Sequence, residues 1–153
     1  MTWLETRIPP PLVMVLCAAA GYAVSRLLPG VGFRLPVPAV LAALMMIAGI
    51  VLNLLPKLSF RRAGTTVNPL RPSASSSLIV HGLYRRTRNP MYLGQAFVLL
   101  GALLYLQNLA ALLAVPLFVV YIIRLQILPE ERALLARFPD AYAQYHHRVP
   151  RWL

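Results

Sequence analysis

Long apolar runs alternate with short polar breaks along this chain, at lengths suited to helices that cross a membrane. Residues 11–28 form a run broken only by Ser25 and Arg26 near its end, which at 1.5 Å per residue makes about 27 Å of helix. Pro29-Gly30-Val31-Gly32 then predicts a turn. A second run, residues 38–55, carries Asn53 as its one clearly polar side chain. A third, residues 91–106, reaches about 24 Å as a helix, near the short limit for a span. Gln107-Asn108 is its whole link to the fourth run, residues 109–128, and so short a link forces an antiparallel hairpin. Pro116 predicts a kink in that last run, and Pro129 marks where the chain is expected to leave it.

Beyond Pro129 the pattern changes. Leu134, Leu135, Phe138, Tyr142 and Tyr145 recur at helical spacing, with Arg132, Arg137 and Asp140 elsewhere, so the tail 130–153 is expected to hold an amphipathic helix. It should lie along the membrane surface or fold back over a site, with a break at Pro139. The fold class is therefore an all-α integral membrane protein, one domain over residues 1–153, with about four transmembrane helices plus a C-terminal amphipathic helix. Between the second and third runs, residues 56–88 read as an extramembrane loop holding Lys57, Arg61, Arg62, Arg71, Arg85, Arg86 and Arg88. A loop of that length usually does something, although its run Ser73-Ala74-Ser75-Ser76-Ser77 reads equally well as flexible linker.

Composition agrees with the pattern: 59% of the 153 residues are hydrophobic and 12% are charged. The formal net charge of +11 in isolation suggests nucleic acid, but the arginines sit at the ends of apolar runs, where the surface of a lipid bilayer is the partner instead. With four spans, Arg7, the basic loop, Arg132, Arg137, Arg148 and Arg151 share one side, against Arg26 and Arg34 on the other. Both termini are then expected in the cytoplasm, at the inner or plasma membrane if the cell is bacterial. Cys17 is the only cysteine, which precludes an intrachain disulfide, and its place within the first run suits a small buried hydrophobe. That first run is read as a retained anchor rather than a cleaved signal, since its apolar character continues past Ala18-Ala19-Ala20.

Polar chemistry concentrates between His81 and Gly94. Pro90 biases Asn89 out of the helical region and suits the first position of a new helix, so a helix is expected to start there with Asn89 as its cap. Its positive end can hold an anionic group. Arg124, inside the fourth run, is a functional candidate by default, or else a snorkelling side chain near the span's end. Glu130 and Glu131 supply half of the protein's acid, either as first-turn residues of the tail helix or as charges in a site. If the helix continues unbroken, Arg124 and Glu131 fall near one face. His81 is a possible base or a surface residue. His146 and His147 are adjacent and lack further ligands, so no metal site is expected. No glycine-rich phosphate loop or dinucleotide fingerprint is present.

Gly82-x-Tyr84-x-x-x-Arg88-Asn89-Pro90-x-Tyr92-Leu93-Gly94, then a hairpin of apolar segments, then Glu130-Glu131-x-x-Leu134 and Phe138-x-x-x-Tyr142-x-x-Tyr145, together resemble the isoprenylcysteine carboxyl methyltransferase family and its phospholipid methyltransferase relatives. The resemblance covers about residues 63–153. It implies an S-adenosylmethionine site contacted by Leu78, Ile79, Tyr84, Asn89, Pro90, Met91, Tyr92 and the acids Glu130 and Glu131. It places Arg124 near the family's substrate-side arginine. Two departures stand out: Asn89 replaces the family's common histidine, and Pro139 its usual glycine. The implied reaction is in-line methyl transfer to a lipophilic acceptor, an isoprenylcysteine-type carboxylate, a thiol or a phospholipid amine, entering from the bilayer. Alignment and water exclusion dominate such a step, and an anionic acceptor would need no base. A membrane reductase of the sterol type using NADPH, and a non-catalytic membrane protein or transporter, are the competing readings.

Overall fold

The computed structural model describes residues 5–62 and 78–153, with side chains described outside 59–62. Its helices are α1 (Pro10–Leu27), α2 (Pro38–Arg62), α3 (Pro90–Tyr105), α4 (Leu109–Leu112), α5 (Ala114–Ile122), α6 (Leu128–Arg137) and α7 (Pro139–Arg148). A π-helical turn, Ile123–Ile127, joins α5 to α6, and a 3-10 turn, Gly82–Arg85, precedes α3. The serine run 73–77 and Arg71 lie outside the described residues.

The short third helix sits at the centre. α3 packs against α2 on one side and against α1 and α5 on the other, and its sequence explains both contacts. Gly94 and Gly101 recur seven residues apart, about two turns, on the face that meets α2. A Cβ on Gly94 would lie 2.5 Å from the Gly49 carbonyl oxygen, and one on Gly101 would lie 2.8 Å from that of Ala42. The two backbones thus pass in direct contact, as small residues allow in membrane helices. On the other face Tyr92, Leu99 and Leu103 join Val13, Ala111, Phe118, Ile122 and Ile127 in the main buried cluster. α1 and α2 keep outward faces of large apolar side chains such as Leu16, Leu44 and Ile47, the surface that lipid covers in an integral membrane protein.

Three helical stretches among the described residues are long and apolar enough to cross a membrane: Pro10–Leu27, Pro38–Leu58 and Leu109–Arg137. α3, at 16 residues, is shorter. Two expected boundaries move. α2 does not stop at residue 55 but runs through a buried Pro56 to Arg62, and the fourth run does not end at Pro129 but continues into the tail as one stretch of 29 residues. Proline removes one N–H and crowds the carbonyl four residues earlier, which strains or interrupts a helix and leaves that carbonyl to another partner. Pro116 shows the interruption at Leu113, between α4 and α5. Pro129 shows the alternative: the Leu125 carbonyl, four residues before it, accepts the backbone N–H of Thr6 at 2.9 Å.

At the far end, Gln107 and Asn108 tie the hairpin to the α1–α2 connection. Gln107 takes a left-handed φ of 51°, its carbonyl accepts from Phe33 N at 2.8 Å, and its side chain accepts from Leu35 N at 2.9 Å. Asn108 caps α4 through Ala111 N at 3.0 Å and donates to the Leu28 carbonyl at 2.8 Å. The two polar residues of this link therefore satisfy backbone groups that would otherwise be stranded at a turn.

Candidate active site

α3 starts at Pro90 as its sequence dictates, with Asn89 at the cap position, but the Asn89 side chain does not cap the helix. It donates instead to the Arg151 carbonyl at 3.0 Å. The buried Thr87 hydroxyl donates to that same carbonyl at 3.2 Å and accepts from Asn89 N at 3.2 Å. Arg88 N donates to the Pro150 carbonyl at 3.0 Å. The last residues of the chain thus lie as an extended strap along Thr87, Arg88 and Asn89, with Trp152 packed on the main core.

The acids arrive from the opposite direction on α6. The Tyr92 hydroxyl, on the first turn of α3, donates to Glu130 Oε1. Glu131 is held by two arginines. Arg151 meets it as a fork, Nε to Oε1 at 3.1 Å and Nη2 to Oε2 at 2.7 Å, while Arg88 Nη2 stands 3.2 Å from Oε1. Such bidentate pairing fixes geometry as well as charge. The Tyr145 hydroxyl donates to the Tyr84 carbonyl at 2.8 Å, closing the tail over the Gly82–Arg85 turn, and Leu78, Tyr84, Leu134 and Phe138 pack round Tyr142, Tyr145 and Val149. Burial, reinforced by the nearby Glu131 charge, pushes the Tyr142 phenol up to about 12. Burial likewise raises Tyr145 and Tyr84, so these hydroxyls stay protonated, and that of Tyr145 is the donor to the Tyr84 carbonyl. The hydrogen bond to Glu131 raises Arg151 further above its ordinary value.

Beside this cluster α6 and α7 enclose a groove of about 430 Å³, lined by Leu128, Glu131 and Leu135 from one helix and Tyr142, Ala143 and His146 from the other. Pro139 begins α7 immediately after the bend at Phe138, as expected, and this bend sets the two helices against each other. Glu131 therefore belongs both to the arginine cluster and to the groove wall.

The expected site residues divide cleanly. Tyr84, Asn89, Pro90, Tyr92, Glu130 and Glu131 come together in this region. Ile79 is buried. Met91 contributes its carbonyl to Asn53 Nδ2 at 3.2 Å, a contact between α3 and α2. Arg124 is exposed within the π turn, and none of the ion pairs among the described residues involves it. Seven residues of α-helix would stack Arg124 under Glu131, but the wider π turn takes up part of that interval and rotates Glu131 away by up to about 100°. His81 is exposed at the start of the Gly82–Arg85 turn. Three participants escaped the sequence reading: Thr87, Arg88 in its paired role, and Arg151. Only the crowding of Arg88 and Thr87 against Asn89-Pro90 hinted at them. Among the described residues no three metal-ligating side chains gather.

A further seam lies behind the acids. Gln126, fully buried, donates through Nε2 to the Ile8 carbonyl at 2.8 Å, and Arg132 pairs with Glu5. With the Thr6 bond to Leu125 these contacts hold the segment before α1 against the π turn, on the side from which Glu130 and Glu131 emerge.

The arrangement of a proline-started helix, a tyrosine one turn along it, and a glutamate pair brought back by the following hairpin has a counterpart among known proteins. Residues 37–141 match the phospholipid methyltransferase family. The chain belongs to that family. The match runs from the start of α2 into α7 and so includes both motifs and the hairpin between them, and the family includes the isoprenylcysteine carboxyl methyltransferases. A protein of Haemophilus influenzae described as uncharacterized is 41% identical over 63 residues, which are 41% of this chain and the whole of that protein. No solved structure matches. Membership of the phospholipid methyltransferase family supports a membrane methyltransferase of the phospholipid or isoprenylcysteine type, and the apolar helices make it an integral membrane protein.

Proposed function

We propose that this protein transfers a methyl group from S-adenosylmethionine to a lipophilic acceptor at the cytoplasmic face of the membrane. The observation that carries this reading is the Tyr92 to Glu130 hydrogen bond, which joins the two matched motifs across 38 residues of chain. The donor set suits the molecule. A cationic, zwitterionic nucleoside derivative calls for carboxylates, fixed cations and an apolar cleft, and Glu130, Glu131, Arg88 and the α6–α7 groove offer all three within one region. Tyr84, Asn89, Pro90, Tyr92 and Glu130 would hold it, with Leu78, Ile79 and Met91 shaping the approach.

Bound there, S-adenosylmethionine supplies an electrophilic methyl group on a sulfonium centre. The protein's own part is positional. Tyr92 orients the Glu130 carboxylate, the arginine fork fixes Glu131, and the strap and α7 exclude water above them, which strengthens each charge interaction inside. Alignment of this kind accounts for large rate factors without acid or base chemistry. An anionic acceptor, a carboxylate or thiolate, fits best because the buried side chains here are hydroxyls, arginines and already engaged carboxylates, while His81 is exposed.

Calorimetric titration of the detergent-purified protein with S-adenosylmethionine and, separately, with NADPH tests the reading. Saturable binding of S-adenosylmethionine alone supports it. Binding of NADPH alone favours the reductase alternative, and binding of neither favours a protein that keeps the fold without the reaction.

A further inference from the structure

Arg88 is a buried cation with more donors than partners. Its side chain is 7% exposed, and among the described residues its Nε and Nη1 make no hydrogen bond. Guanidinium carries five N–H donors and stays charged at any ordinary pH. One edge contact, Nη2 to Glu131 at 3.2 Å, leaves the N–H of Nε and both of Nη1 facing no acceptor. Burying such donors is expensive, more so on a charged group, and an orphan of this kind calls for a cause.

Pairing with Glu131 is not a sufficient cause. Arg151 already holds that carboxylate with two shorter bonds, and Glu130, the other acid of the region, accepts from Tyr92, so neither carboxylate meets the Nε and Nη1 donors of Arg88. A purely structural ion pair would have its donors met, since unmatched N–H groups on a buried guanidinium destabilise the fold. The guanidinium is also held in advance: the Arg88 backbone is bonded to Pro150, and its neighbours Thr87 and Asn89 to Arg151. A fixed, planar, desolvated cation with free donors is the arrangement that recognises carboxylate or phosphate oxygens.

We infer that Arg88 is an oxyanion subsite, its free N–H groups satisfied when a carboxylate or phosphate oxygen of a ligand meets them. The inference rests on the methyltransferase reading for one of its two sources, the carboxylate of S-adenosylmethionine. The other source is the anionic headgroup of a membrane lipid acceptor. In either case Arg88, rather than the exposed Arg124, holds the anion.

The test compares the parent with Arg88→Gln and Arg88→Lys in nanodiscs, where Arg151 still holds Glu131 in both variants and a thermal melt verifies folding. One arm titrates S-adenosylmethionine against its decarboxylated analogue, which lacks only the carboxylate. The other measures retention of phosphatidylglycerol over phosphatidylcholine by native mass spectrometry. With the cofactor carboxylate as ligand, the parent prefers the intact molecule by about 10-fold or more, the range for a charged hydrogen bond, Arg88→Lys keeps part of this preference and Arg88→Gln loses it. With a lipid headgroup as ligand, Arg88→Gln leaves that ratio alone and loses the preference for phosphatidylglycerol. Folded variants unchanged in both arms overturn the subsite. A parent that binds neither nucleoside overturns the methyltransferase reading instead, and the lipid arm then decides the subsite by itself.

Discussion

The hydroxyl of Tyr92 donates to the carboxylate of Glu130, so the first turn of α3 and the first turn of α6 meet at one bond. Removing either partner leaves the other buried without its mate, which costs about 1 to 3 kcal/mol. Tyr92→Phe and Glu130→Gln should each weaken S-adenosylmethionine binding by that amount. Because they act through one contact, the double variant should bind no worse than the weaker single. Losses that simply add, measured by calorimetry, would show two independent contacts.

The glycines of α3 make a sharper prediction about stability. A Cβ at position 94 would stand 2.5 Å from one backbone atom and 2.9 Å from another, and backbone cannot swing aside as a side chain can. Gly94→Ala should therefore push α2 from α3 and lower stability by about 1 to 3 kcal/mol or more. Gly30→Ala, where nothing lies within 4 Å, should leave the melting temperature unchanged. Equal melting of both variants would mean that the helices do not pass in contact.

The segment before α1 should influence the acids on α6. Thr6 holds a left-handed φ of 55° while its N–H fills the carbonyl that Pro129 leaves unpaired. Thr6→Gly keeps that N–H and relieves the backbone, so it should be neutral or mildly stabilising. Thr6→Pro removes the N–H and cannot adopt the angle, and should cost about 1 to 3 kcal/mol. Hydrogen exchange over residues 128–137 should rise in Thr6→Pro and in Gln126→Leu but not in Thr6→Gly. The same exchange in all three would detach the segment before α1 from the site.

Arg124→Lys keeps a positive charge but gives up the planar fork. An exposed arginine that reaches the membrane surface loses nothing by the exchange, so methyl transfer to each acceptor used by the parent should stay within about threefold, near the 0.5 kcal/mol bound for surface substitutions. A drop well beyond that with cofactor affinity intact would return Arg124 to the acceptor.

Local chemistry was enough to place much of this molecule. The length of the apolar runs, the helix start at Pro90, the interruption near Pro116 and the break at Pro139 follow from transfer energetics and from the fixed φ of proline, which depend on near neighbours alone. The spacing of Tyr84, Asn89, Tyr92, Glu130 and Glu131 likewise marked the polar region before any contact was known. What the sequence could not specify was which long-range partner each freed group would find. Pro129 predicts an unpaired carbonyl at Leu125, but that its partner is the N–H of Thr6, 119 residues earlier, is decided by the fold. The π turn just before Pro129 changes the angle between Arg124 and Glu131, while the arginines that stand beside the acid come from distant parts of the chain. Arg151 carries no local signal, because an arginine near a chain end is ordinary until the tail folds back and sets its guanidinium on Glu131. Tertiary structure alone determined these pairings, since burial makes an unsatisfied donor or charge costly only once the rest of the protein has closed around it.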